Sequence, residues 1–300
     1  MNGRKRTAAP NARSITQALG GTWYRSYGAA ACPVCQPESH KGQNALTLTD
    51  SQDGLLLAHC KRSGCSFKDI SLALGLKPGR FDRPDIAIIA QRDKQRRAQA
   101  EKKARQAYRI WLESEPIQNT IAESYLQGRG ITCPLSPTLR FHPEAWHGPT
   151  AQFLPAMVAL IEGVEDFSIH RTYLLPDGSG KAKVSPNKAM LGSVAGGAVQ
   201  LSNEGSTLVV AEGIETALAL LCGLLKKPAT VWAALSAGNL ANLKLPDAPG
   251  RLTIAADGDH AGHKAAHALA HRAHALDWTV SLLPAPEGQD WNDVLTSAVI

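Results

Sequence analysis

Two sets of residues in this chain have the types and spacing to do chemistry. Four cysteines fall as two short pairs, Cys32-x-x-Cys35 and Cys60-x₄-Cys65, with twenty-four residues between the pairs and turn residues Pro33 and Gly64 close by. Thiolates at such spacing are the ligand set of a closed tetrahedral site, so they point to one structural zinc ion in preference to four reduced, metal-free thiols. His40 and His59 are stand-in ligands for one position, although a surface or strand histidine is the simpler reading of each. The second set is acidic. Glu212 ends the apolar run LVVAEG, and Asp257 and Asp259 end LTIAADGDHAG. A core strand has no packing use for an acid at its end, whereas Mg²⁺ needs a cluster of hard oxygen ligands. The plainer alternative is an N-capping Asp and a solvent-facing Glu at strand-to-helix turns. Two such turns, one of them carrying DGD, favour a metal site. EGQDWNDVL adds Asp290 and Asp293 as second-rank acids near the C-terminus.

The elements that must position these residues are legible from periodicity. Both acidic runs are short, rich in Val, Leu, Ile and Thr, and lead through Gly into a helical pattern, as buried parallel strands do. The expected strands are 207–211, 230–235, 252–256 and 278–283, with helices over 214–225 and 262–276. This alternation predicts a parallel sheet, whose ligands bind beyond the carboxyl ends of the strands. Residues 206–300 are therefore expected to be a catalytic α/β domain. Residues 128–205 read as a small α/β subdomain of short strands, GRGITCP, LRFHP, AMVALIEG and FSIHRTYL among them. That stretch carries Arg171 in a strand pattern and Lys181, Lys183 and Lys188 after a Gly-rich turn, four cations suited to phosphates. Its GSGK lacks the first glycine and the final Ser or Thr of a phosphate-binding P-loop, which excludes an ATPase on that motif.

Upstream, residues 81–127 are expected to be a helical linker. It has a broken apolar stripe (Ile89, Ala100, Ala104, Tyr108, Trp111, Leu112) and seven cations from Arg92 to Arg105, for which phosphate tracking and a solvated face are equal readings. Residues 14–80 are expected to form an antiparallel zinc ribbon: a helix closed by Gly20 and Gly21, hairpin strands in NALTLT and GLLLAHC, a helix ended by Gly75, and a Pro78–Gly79 turn. Residues 1–13 read as a disordered basic tail with no apolar stretch behind it, so no secretory signal is expected. No window approaches eighteen uninterrupted apolar residues, and the expectation is a soluble, cytoplasmic protein without a membrane partner. Six cysteines, with Cys133 and Cys222 isolated, suit a metal cluster better than a disulfide framework. A net charge of +6 and a pI near 9.0 point to a polyanionic partner.

At these residues the chain resembles a known family. EGIETALAL and AADGDHAGHKAA look like the two hallmark motifs of TOPRIM domains, and GQDWNDVL resembles a third acidic element of TOPRIM primases. A zinc ribbon ahead of such a domain is the arrangement of DnaG-type primases, and the wording is similar to plasmid- and phage-borne members over about residues 14–300. The resemblance implies synthesis of short RNA primers from NTPs on single-stranded DNA, with structural Zn²⁺ and catalytic Mg²⁺ or Mn²⁺, and a separate replicative helicase as a further partner. Glu212 then corresponds to the catalytic glutamate and Asp257 and Asp259 to the metal-binding pair, while IHRTYL…KAKVSPNKAMLG resembles the basic patch facing template and nucleotide. Where many relatives carry an Asp soon after the motif glutamate this chain has Glu215, read either as an assisting acid or as a first-turn acid favoured by the helix dipole. No helicase or helicase-docking domain is visible in the sequence. A TOPRIM nuclease and a non-catalytic zinc-dependent DNA binder are the competing readings. A topoisomerase is disfavoured, since Tyr24, Tyr27, Tyr108, Tyr125 and Tyr173 lack the setting of a nucleophile.

Overall fold

The computed structural model describes residues 11–40, 42–51, 55–76 and 86–298. The first ten residues of the expected tail and the Pro78–Gly79 turn lie outside them, as do the side chains of Ile89 and Arg92. The chain divides into two compact units, Met1–Ile89 and Ala90–Ile300. Among the described residues no helix is long and apolar enough to cross a membrane.

The first unit begins with α1 (Ala12–Ala18), two residues earlier than expected because the Asn11 side chain accepts the Ser14 N–H at 2.8 Å and caps the helix. Strands β1 (Thr22–Trp23), β2 (Gly28–Ala30), β3 (Leu46–Asp50) and β4 (Leu56–Cys60) follow as one antiparallel meander in sequence order. Leu46 and Leu48 alternate inward along β3, as the period of two demands, and are fully buried with Ala12, Ile15, Cys32 and Cys60. α2 (Phe67–Ala73) closes this core with Ile70. Ser66 and Asp69 cap its start reciprocally, and Gly75 ends it at φ +66°.

The linker stretch is one helix and then a short second one. α3 (Ile86–Glu113) is followed by β5 (Glu115–Pro116) and α4 (Ile121–Gln127). The buried stripe of α3 is Ala107, Ile110 and Trp111, packed on Val158 and Ile169, whereas Tyr108 and Leu112 of the expected stripe stay at least half exposed. The expected strand in GRGITCP is absent, since its backbone turns at the end of α4 through Gly130 at φ +74°. β6 (Leu139–His147), β7 (Gln152–Ile161), β8 (Ser168–Tyr173) and β9 (Lys188–Leu191) join β5 in an antiparallel sheet of order β5-β6-β7-β8-β9.

The second sheet runs β10-β12-β11-β13-β14, from β10 (Val199–Asn203), β11 (Thr207–Ala211), β12 (Thr230–Ala233), β13 (Arg251–Ala255) and β14 (Thr279–Leu282). The four expected strands are parallel, and β10 is an added antiparallel edge. Helices α5 (Ile214–Ala219), α6 (Ala237–Ala241), α7 (His260–His274) and α8 (Trp291–Ala298) complete the unit. The unbroken apolar runs are explained by burial on both faces. Val209, Ala211, Val231 and Ala233 face a core shared with α5 and the antiparallel sheet, while Leu208, Val210, Leu252 and Ile254 face α6 and α7. α5 is shorter than the pattern predicted. Leu220–Leu224 widens into a π-type turn with Gly223 at φ +119°, and Cys222 there is paired with Cys133. The two cysteines that look isolated in sequence are thus a disulfide, because the loop after α4 runs back beside α5.

Candidate active site

In the first unit the two cysteine knuckles close on one point. The sulfurs of Cys32, Cys35, Cys60 and Cys65 all lie within 4.8 Å of one another, with Cys35 Sγ and Cys60 Sγ 3.6 Å apart. Four thiolates about 2.3 Å from a tetrahedral zinc ion would be about 3.8 Å apart, so the set fits that ion. Burial pushes thiols up, yet the backbone N–H groups of Ser63, Cys65 and Arg62 outweigh it at Cys60 and hold its thiol down at about 6. Cys65 is pushed up to about 12 by burial and by the neighbouring thiols. Four adjacent sulfurs resist shared ionisation unless a cation joins them.

In the second unit the sheet order creates the acid cluster. β11 and β13 are neighbours, but the chain leaves β11 through α5 on one face and leaves β13 through α7 on the other. Their carboxyl ends therefore open a crevice, the place where open α/β sheets bind ligands. Glu212 follows β11, accepts the Ala237 N–H, and is held above the usual carboxylate range by burial, with the Asp259 charge adding to the shift. Asp257 follows β13. Burial pushes it up to about 7, with help from the charges of Glu212, Asp290 and Asp259, and its Oδ1 is buried without a hydrogen-bond partner. A carboxyl with an orphaned oxygen among three other acids is a place short of a cation, so the residues fit a divalent ion with oxygen ligands.

Gly258 explains why Asp290 belongs to this cluster. A side chain there would overlap the Pro286 carbonyl, and the backbone bonds Gly258 N to Gln289 O and Gly288 N to Gly258 O, at 2.8 Å each, lace the two loops together. Three expected ligands are partly engaged in hydrogen bonds of their own. Asp259 is exposed and caps α7 by accepting the Gly262 N–H at 2.6 Å. Asp290 accepts the N–H of Asn292 and Asp293, and Asp293 accepts that of Asp290 at 3.0 Å. That reciprocal pair occupies Oδ2 of Asp293 at the start of α8. Among the described residues only the thiolates converge to within 4.8 Å, so the acids are neighbours not yet closed around a point.

The four cations expected to meet phosphates divide three ways. Arg171 lies in β8, where all six residues are buried between β7 and β9. Its Nη1 donates to Trp146 O at 3.1 Å and its guanidinium stands 5.6 Å from the Tyr173 ring, so it braces the sheet and is not presented to a ligand. Lys181 and Lys188 both reach Glu215, at 2.9 and 3.1 Å, and the Tyr125 hydroxyl donates to the same carboxylate at 2.8 Å. Lys183 is exposed. Burial would raise Glu215, but Lys188 and Lys181 overcome it and keep the carboxylate far below its ordinary range. Lys188 also lowers Glu212 and Asp257, which puts its charge between Glu215 and the acid cluster.

Glu215 is thus an inward-facing counter-ion, set on the first turn of α5 three residues past Glu212. Sequence reasoning missed Tyr125 in this role and His170, a fully buried ring pushed down to about 3 by burial and then by Lys188. The one signal for the network was a second acid at helical spacing from Glu212.

Residues 101–201 match a family described as a domain of unknown function, DUF7146. No curated protein matches the chain. Among solved structures, a DNA primase domain from Pseudomonas aeruginosa aligns at 17% identity and a TM-score of 0.33 over 52% of this chain and 52% of that one, so the chain spans about half its length. The zinc-binding and RNA polymerase domains of the Aquifex aeolicus primase align at 13% identity and a TM-score of 0.38 over 95% and 79% of the two chains. The RNA polymerase domain of the Mycobacterium tuberculosis primase DnaG aligns at 18% identity and a TM-score of 0.40 over 66% and 79%. The segment that bears Glu212, Asp257, Asp259 and Asp290 matches the Toprim family model, and residues 207–299 of this chain are a Toprim domain.

Proposed function

We propose that the protein is a DNA primase, making short RNA primers from NTPs on a single-stranded DNA template. The observation that carries the reading is the coexistence, in one chain, of a four-thiolate cluster and a Toprim acid set whose Asp257 oxygen is buried and unpartnered. Glu212, Asp257 and Asp259, with Asp290 beside them, would hold Mg²⁺ or Mn²⁺. Divalent ions supply charge neutralisation at an attacking 3′-hydroxyl and a leaving pyrophosphate. The chain's own groups do the rest. Glu212, at the carboxyl end of β11, either completes the shell of the ion or accepts the proton of the attacking hydroxyl. Lys188, steadied by Glu215 and Tyr125, offers its free N–H donors to phosphate, and exposed Lys183 engages the polyanion backbone. The ribbon, organised by Zn²⁺, is the template reader, and a separate helicase is a further partner in this reading.

The test is incubation of the purified protein with single-stranded templates, labelled NTPs and Mg²⁺ or Mn²⁺. Oligoribonucleotide products are the expected result. Shortened templates would indicate a nuclease, and binding without either product would leave only the accessory role. Asp257→Ala should lower primer synthesis by about a hundredfold or more. It should not lower the unfolding temperature, because the change removes a carboxylate repelled by three others. Near-normal synthesis by this variant would reduce the acids to turn caps.

A further inference from the structure

α7 carries five of the chain's ten histidines: His260, His263, His267, His271 and His274. Steps of three, four, four and three residues return to one side of a helix with 3.6 residues per turn, so the five form a single stripe. All five are exposed, while the other side of α7 buries Ala265, Ala266, Leu269 and Ala273 against the parallel sheet. Core packing therefore does not account for them. Nor does helix formation, because Lys, Glu, Gln and Arg are better formers for an exposed face than His.

Imidazole is the commonest side-chain ligand for borderline divalent ions such as Zn²⁺, Ni²⁺ and Cu²⁺. Side chains four residues apart on a helix have Cβ atoms about 5–6 Å apart. Two nitrogens each about 2.0–2.1 Å from one ion lie about 3 Å from each other, a gap that ordinary rotamers of two such rings can close. The two ends of the stripe differ. Lys264 lies four residues after His260 and three before His267, between the two ends, and what sets the first end apart is the helix N-terminus at His260, whose positive dipole end opposes a cation. His267, His271 and His274, at i, i+4 and i+7, run into the last turn, where the negative end of the helix dipole favours a cation. The one other charge of that turn, Arg272, is drawn toward the loop after α6, donating to Ala241 O at 2.7 Å and Leu243 O at 3.3 Å.

We propose that His267, His271 and His274 form a site for a borderline divalent transition ion, separate from the four-cysteine cluster and from the Toprim acids. In the structure the three rings stand as free neighbours not yet converged, and a bound ion would draw them together across two turns. Such a site exists only when α7 is folded, so the ion stabilises the Toprim unit by mass action.

Calorimetric titration of Ni²⁺ into the full chain, free of any affinity tag and already loaded with zinc at its cysteines, tests this directly. The expected result is one equivalent of Ni²⁺ bound and a raised unfolding temperature. Both should be lost in the His267→Gln/His271→Gln/His274→Gln variant and kept in His260→Gln/His263→Gln. Gln preserves helix propensity, so the variants report on ligation and not on folding. No Ni²⁺ uptake by the wild-type chain, or equal uptake by the triple variant, would overturn the proposal.

Discussion

Glu215 shows how one carboxylate can be mistaken for a reactive group when its neighbours are unknown. It is buried and holds two lysines and a tyrosine, so its replacement removes the nearest counter-charge of two partly buried ammonium groups. Glu215→Gln should destabilise the second unit by about 1–3 kcal/mol, less than the roughly 3–5 kcal/mol of a fully buried pair because Lys188 keeps 36% of its side chain in solvent. Urea unfolding measures this, and combining Glu215→Gln with Lys188→Met should recover part of the loss. His170 makes a second residue-scale prediction. Its folded pKa of about 3 lies below the ordinary histidine value near 6.5. The unfolded chain thus binds a proton that the folded one refuses, and stability present above pH 6.5 is lost as pH falls toward 3. Glu215, also depressed, adds to that loss below about pH 4.5. Each proton contributes a slope of at most ~1.4 kcal/mol per pH unit. Asp257, raised to about 7, acts with the opposite sign over the same window, so the His170 contribution is read as a difference: measured between pH 7 and pH 4, the unfolding free energy of His170→Leu should fall less, or rise more, than that of the wild type.

At the scale of elements, the ribbon and the Toprim sheet differ in what holds them. The ribbon's core is small: two leucines of β3, one isoleucine of α2 and the α1 contacts surround the cysteines themselves. A core of this size would depend on a metal held by the four thiolates, whose binding energy would then be folding energy. Cys60→Ala, or stripping by a strong chelator, should abolish zinc binding and open residues 30–70 to proteolysis. The second unit should keep its helical and strand signal, because its two large cores contain no cysteine of the cluster. Loss of both units together would show that they fold as one.

For the whole molecule, a net charge of +6 sets the long-range attraction to polyanions, and exposed cations decide where it acts. Lys181 and Lys188 are partly neutralised by Glu215, and Arg171 is turned inward, so Lys183 is the member of the expected basic set left exposed. If single-stranded DNA binds as proposed, Lys183→Ala should weaken it and reduce the log–log salt slope by about 0.7, the share of one phosphate contact. Fluorescence anisotropy across a salt series reads the slope. An unchanged slope would place the DNA elsewhere on the chain.

Local spacing by itself determined a good deal of this protein. The Cys pairs, the alternation in β3 and β4, the apolar runs of β11 and β13 and the Gly stops at residues 20 and 75 are short-range features, and each carries its own steric or burial requirement. Acids at the ends of two such runs could be read as a site because a parallel strand has one functional end. What only the tertiary structure decided are the pairings across long separations. Cys133 meets Cys222 eighty-nine residues away, and Tyr125 meets Glu215 ninety away. The Gly258 backbone brings Asp290 to Asp257, while Asp293 turns back to cap its own helix. Charge at a position is written in the sequence, but whether a lysine faces a phosphate or a buried glutamate depends on which elements pack over it. That choice is made by the whole core, so no window of residues contains it.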